Sequence, residues 1–117
     1  MKTLIIFNRN PYDGTDVTWN GLRLVDKLLD IRVEVKLFLM NDSVDMARDI
    51  ARPPEGFFDL GKMLKNLIAK DVPVKVCSTC KARCGVHKGE PYFEGTQEAK
   101  MTELADWVKE ADKIITF

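Results

Sequence analysis

Three cysteines fall inside the segment Cys77-Ser78-Thr79-Cys80-Lys81-Ala82-Arg83-Cys84, and the 117-residue chain has no others. The thiolate is the form of cysteine that attacks sulfur and binds metals, so chemistry here depends on what favours ionisation. Between Val72 and Gly89 there is no acidic residue, whereas Lys75, Lys81, Arg83 and Lys88 carry fixed positive charge. The whole chain has a formal net charge of zero, so this cationic field is local to the cysteines. Neighbouring cations and a helix N-terminus both favour a thiolate.

Three chemistries fit this spacing. In sulfur transfer, the Cys77 thiolate attacks the outer sulfur of a donor persulfide, holds it as a Cys-S-SH group and releases it to an acceptor thiol. Cys80, three residues on, can displace sulfide by closing a disulfide with Cys77. No metal or organic cofactor is required. In dithiol redox chemistry, Cys77-Ser78-Thr79-Cys80 is a C-x-x-C motif following a strand, although thioredoxin-like chains usually carry it after an early strand. In metal binding, Cys77, Cys80 and Cys84 hold zinc or an iron–sulfur cluster, with His87, the only histidine, as fourth ligand. A structural zinc site usually draws ligand pairs from two segments, and this chain has one cluster. The plain alternatives are that Cys80 or Cys84 only packs, as buried cysteine often does, and that the four cations are a solvated face.

Composition narrows the class. The chain is 45% hydrophobic and 31% charged, as expected of one globular domain spanning residues 1–117. Zero net charge gives no general attraction to nucleic acid or to an anionic membrane. Leu4-Ile5-Ile6-Phe7 is too short for a signal-peptide core, and no segment approaches the roughly 20 apolar residues of a membrane span. A cytoplasmic protein is expected, where clustered cysteines are more often reactive or metal-binding than disulfide-bonded.

Positioning the cysteines requires a scaffold, and the apolar pattern supplies one. Thr3 to Phe7, Val33 to Met40, Val74 to Val76 and Lys113 to Phe117 read as strands, with a further short one near Tyr92-Phe93. A helix capped by Thr15 or Asp16 carries Leu22, Val25 and Leu29 on one face, and Asp59 caps a second with Leu60, Met63, Leu64, Leu67 and Ile68. Ser43 to Ala51 forms a short helix before Pro53-Pro54. Thr96 caps a last helix with Met101, Leu104, Ala105 and Val108 facing inward. Such alternation predicts an α/β three-layer sandwich, a mainly parallel sheet of about five strands with helices on both faces.

Ligands of such sheets bind outside the carboxyl ends of the strands. Tyr12, in the turn-rich loop Asn8 to Gly14, the Asn41-Asp42 turn and Cys77 therefore converge on one crevice. Catalytic roles are expected of Cys77 and Cys80, and substrate contacts of Tyr12, Asn41, Asp42, Lys75 and Arg83, with no resident metal. Ordinary turn duty is the alternative for Tyr12, Asn41 and Asp42. Phe57-Phe58, in a loop after Pro53-Pro54-Glu55-Gly56, is the expected subunit contact, or else a hydrophobic staple for the next helix.

Asn10-Pro11-Tyr12-Asp13-Gly14, Leu37-Phe38-Leu39-Met40-Asn41-Asp42, Val72-Pro73-Val74-Lys75-Val76-Cys77 with Cys80, and Ala111-Asp112-Lys113-Ile114-Ile115-Thr116-Phe117 occur in this order along nearly the whole chain. Together they resemble the DsrE/DsrF-like family of small sulfur-relay proteins, in particular its YchN-like branch. The resemblance implies a compact α/β subunit that assembles into trimers or hexamers. It also implies sulfur accepted as a persulfide on the residue matched by Cys77, with a second branch cysteine matched by Cys80. Sulfur donor and acceptor proteins are the implied partners. Cys84 departs from the pattern, because the family more often has a basic residue before the glycine matched by Gly85.

Overall fold

Short apolar runs become strands here because a parallel sheet covered on both faces can bury consecutive side chains. The computed structural model describes residues 1–48, 53–79 and 91–117. Its strands are β1 (Lys2–Phe7), β2 (Glu34–Leu39), β3 (Val74–Cys77), β4 (Thr96–Ala99) and β5 (Lys113–Thr116). They lie in the order β4-β3-β2-β1-β5, and every pair is parallel. Among the described residues they are accompanied by the helices α1 (Val17–Asp30), α2 (Leu60–Ala69) and α3 (Met101–Glu110), with a 3-10 helix over Asn41–Ala47. The expected five-stranded α/β sandwich is present.

Alternation along the strands divides the core into two layers. Ile5, Phe7, Leu37, Leu39, Val74 and Val76 pack with Leu22 and Val25 of α1 and Leu60, Leu64 and Leu67 of α2. On the opposite face, Leu4, Ile6, Phe38, Cys77 and Ala99 pack with Leu104 and Trp107 of α3. Helix α1 comes close to the sheet at Gly21, where a Cβ would stand 2.5 Å from the Phe7 ring.

Local chemistry sets the ends of these elements. The Asp59 carboxylate accepts the Lys62 amide at 3.0 Å and so caps α2, as the sequence predicts. Asp16 occupies the N-cap of α1 without capping it through its side chain. Instead, the Thr15 hydroxyl donates to Asp13 at 2.6 Å and accepts the Val17 amide at 3.4 Å. Beyond α1 and α2 the chain turns through left-handed residues, Arg32 (φ 64°) and Asp71 (φ 65°).

Several expectations need correction. The short helix expected from Ser43 is the 3-10 helix Asn41–Ala47, and residues 49–52 are not described. Tyr92 makes only an isolated antiparallel bridge, to Arg48, and the fourth strand is Thr96–Ala99. Thr96 therefore lies in a strand and caps no helix. Lys100 is the N-cap of α3, with the Glu103 carboxylate accepting the Lys100 amide at 2.6 Å. Helix α3 is also rotated from the expected face: Leu104 and Trp107 are buried, whereas Met101 is 58% and Val108 39% exposed. Trp107 buries more apolar surface than Val108 can, so its side chain decides which stripe meets the sheet.

Candidate functional site

Cys77 is the last residue of β3, at the carboxyl edge of the sheet, and the chain is helical immediately afterwards at Ser78 and Thr79. Leu39 pairs with Val76 and Phe7 with Leu39, so the residues after β1, β2 and β3 run side by side along this edge. Asn8 and Asn41 meet there, the Asn41 amide donating to the Asn8 side-chain oxygen at 3.1 Å. Asn41 is left-handed (φ 54°), a conformation asparagine tolerates better than most residues. Asp42 follows it, exposed, in the first turn of the 3-10 helix. Cys80, Arg83, Cys84 and His87, with Lys81 and Lys88, lie outside the described residues.

The thiol of Cys77 is not open to water. Strand alternation sends Val74 and Val76 into the α1/α2 layer and Lys75 and Cys77 into the α3 layer, where Cys77 is only 5% exposed. Ala99 is its register partner on β4, and Phe38, Leu104 and Trp107 belong to the same packed cluster. A position at the carboxyl edge of the sheet does not by itself expose the thiol.

Lys75 shares that face without being free to serve the thiol alone. Its ammonium lies 4.5 Å from the centre of the Trp107 ring and 3.9 Å from Glu103. Lys36 approaches the same indole at 5.2 Å and pairs with Glu110 at 3.2 Å. Trp107 is thus held by two ammonium groups, each matched to a carboxylate of α3. Glu103, Lys36 and Trp107 were not among the sequence candidates. For Trp107 a signal existed, since it lies three residues from Leu104 and so shares its helix face.

Tyr12 is placed away from Cys77. Its hydroxyl donates to the Phe58 carbonyl at 3.1 Å and accepts the Leu60 amide at 3.0 Å, closing the N-terminus of α2. Its ring meets Phe57 edge-on at 6.0 Å, within the α1/α2 layer. Burial pushes the phenol up, against the opposing hydrogen bond from the Leu60 amide, and the Asp59 carboxylate pushes it the same way as burial. Tyr12 joins the first loop to α2 through one donated and one accepted hydrogen bond.

A second polar cluster stands behind this edge. Arg48, almost wholly buried, donates to Asp45 at 2.7 Å and to the Tyr92 hydroxyl at 3.1 Å, with its guanidinium 4.7 Å from the Tyr92 ring centre. Its Nε has no hydrogen-bond partner among the described residues. Together with the Phe93 amide donating to the Ala47 carbonyl at 2.7 Å, these bonds fasten residues 92–93 to the end of the 3-10 helix. Nothing in the sequence marks Arg48 for burial. A hollow of about 880 Å³ between α1 and α2, lined by Arg23, Asp26, Met63 and Lys70 among others, lies on the face opposite Cys77. Its Asp26 and Lys70 neutralise each other at 2.7 Å.

Among the described residues no helix is long and apolar enough to cross a membrane, and no group of three or more His, Cys, Asp and Glu could hold a metal ion.

Known proteins resemble the chain in sequence and in fold. The protein YchN of Escherichia coli K12 is 36% identical over 118 residues, covering 99% of this chain and 98% of that protein. The uncharacterized protein MJ0989 of Methanocaldococcus jannaschii is 34% identical over 119 residues, covering both chains completely. The crystal structure of the E. coli ychN protein superposes with a TM-score of 0.87, over 100% of this chain and 99% of that one. MTH1491 of Methanobacterium thermoautotrophicum, at 12% identity and a TM-score of 0.70, shares the fold. The DsrE/DsrF-like family matches residues 1–117, and the chain belongs to that family.

Proposed function

We propose that the protein carries sulfur as a persulfide on Cys77 and passes it to a partner thiol. The observation that carries this is the position of Cys77, a free thiol ending β3 at the carboxyl edge of the sheet, in a chain of the DsrE/DsrF-like family. In the loading step the Cys77 thiolate attacks the outer sulfur of a donor persulfide, and the donor leaves as its own thiolate. In the unloading step an acceptor thiolate attacks the outer sulfur of the Cys77 persulfide, and the Cys77 thiolate is released. Each step exchanges one S–S bond for another, so neither an oxidant nor a cofactor enters.

Cys80, as a thiol that can displace sulfide from the loaded form, Arg83 as a cation near the persulfide, a cytoplasmic setting and protein donors and acceptors belong to the same proposal. So does self-association, supported by large apolar side chains left in solvent, Phe58 at 50% and Ile114 at 44% exposure.

Intact-mass spectrometry after incubation with a persulfide donor tests the function. A reducible gain of one sulfur atom is expected, absent in Cys77→Ser and retained in Cys84→Ser. Undiminished loading of Cys77→Ser would remove Cys77 from the role.

A further inference from the structure

A sulfur carrier needs its thiol to meet another protein, yet Cys77 is 5% exposed and packed in the layer that α3 covers. Helix α3 begins directly after Ala99, the register partner of Cys77, so its first turn lies beside the thiol. From there it returns across the sheet to β5 at the far edge. Its attachment is slight: Leu104 and Trp107 are its only buried residues, and Met101 and Val108 face solvent. Among the described residues its ion pairs with the sheet are Lys75 with Glu103 and Lys36 with Glu110, and both ammonium groups lie near the Trp107 ring. Both carboxylates are about half exposed, where ion pairs are weak and screened by salt. Elements with few buried contacts open locally without global unfolding.

We propose that α3 is the movable cover of the Cys77 thiol, and that its release from the sheet, opposed by the lysine–glutamate clips at its first and last turns, admits the sulfur donor and acceptor. This rests on the carrier function proposed above. The acceptor must then displace Leu104, and a thiol on a protruding apolar segment meets that requirement.

The test follows alkylation of Cys77 by a maleimide in the Cys80→Ser, Cys84→Ser protein, with the urea midpoint measured in parallel. Removing the acid half of both clips, Glu103→Gln with Glu110→Gln, is expected to raise the rate several-fold while the pH profile keeps its shape. Trp107→Ala is expected to raise it about tenfold or more, the factor that corresponds to about 1.4 kcal/mol. Asp26→Asn, which breaks an ion pair of similar exposure on the opposite face, should leave the rate unchanged. Amides of α3 should exchange hydrogen faster than those of β1 and α1. An unchanged rate in the double glutamine variant would overturn the proposal, even if Trp107→Ala failed to fold. So would a rate in the parent that follows global unfolding. If the glutamine variant reacts faster but no variant takes up sulfur, the cover stands and the carrier function falls.

Discussion

The two faces of this sheet are built to different standards. One is sealed by α1 and α2, whose leucines and valines lock onto Ile5, Phe7, Leu37, Leu39, Val74 and Val76. On the other, among the described residues, the covering helix is α3, which sets two buried side chains against it and leaves Met101, Ala105 and Val108 exposed. The candidate nucleophile lies on the second face. The larger buried cluster lies on the first face, and Cys77 lies on the second, under a helix with two buried side chains.

Unequal layers should respond unequally to the same deletion. Leu64→Ala, on the sealed face, should cost about 3 to 4 kcal/mol in urea unfolding, whereas Leu104→Ala should cost about 2 kcal/mol. Equal losses would break the contrast. Next in size is Arg48→Met, which removes the guanidinium from Asp45 and from the Tyr92 hydroxyl. About 3 kcal/mol is expected from breaking this buried pair.

Tyr92 sharpens that prediction through pH. Burial pushes its phenol up to about 12, although Arg48 pulls the other way. A group whose value is raised in the folded protein favours folding while both states are protonated, and that advantage disappears as pH rises from the unfolded value toward the folded one. Stability should therefore fall between about pH 10 and 12, a loss that Tyr92→Phe reduces, leaving the part that belongs to the raised Tyr12 phenol. Circular dichroism across that range would decide it.

Tyr12→Phe removes two hydrogen bonds at the start of α2 and should cost about 1 to 2 kcal/mol without altering sulfur loading. A loading defect with unchanged stability would return Tyr12 to the site. The smallest effect belongs to the open face: Lys36→Met should change stability by less than about 1 kcal/mol, and the change should shrink in high salt. Urea titrations in low and high salt would show it.

Much of the scaffold was legible because local and global preferences agree. β1, β2 and β3 announce themselves by apolar runs, and Asp59 by its place before the Leu60, Leu64, Leu67 stripe. β4 was illegible because Thr96-Gln97-Glu98-Ala99 is an edge strand whose pairing needs only backbone groups. Site residues were harder. Cys77 could be placed at a strand end, but which helix covers it depends on the return of α3 across the sheet. Tyr12 looked like a ligand contact because turn residues and helix-closing residues share the same chemistry. Arg48 lacked any pattern, since its burial depends on Asp45 and Tyr92, the latter distant in sequence.

The two tryptophans have a practical consequence. Trp19, in α1, stacks on Phe58 at 4.5 Å with Arg23 at 4.4 Å on its ring, whereas Trp107 sits between Lys36 and Lys75. Each layer thus carries its own fluorophore. Trp19→Phe leaves an emission spectrum that reports the α3 side, and Trp107→Phe leaves one that reports the α1 side. Stopped-flow traces of the two variants would time the halves of the molecule separately.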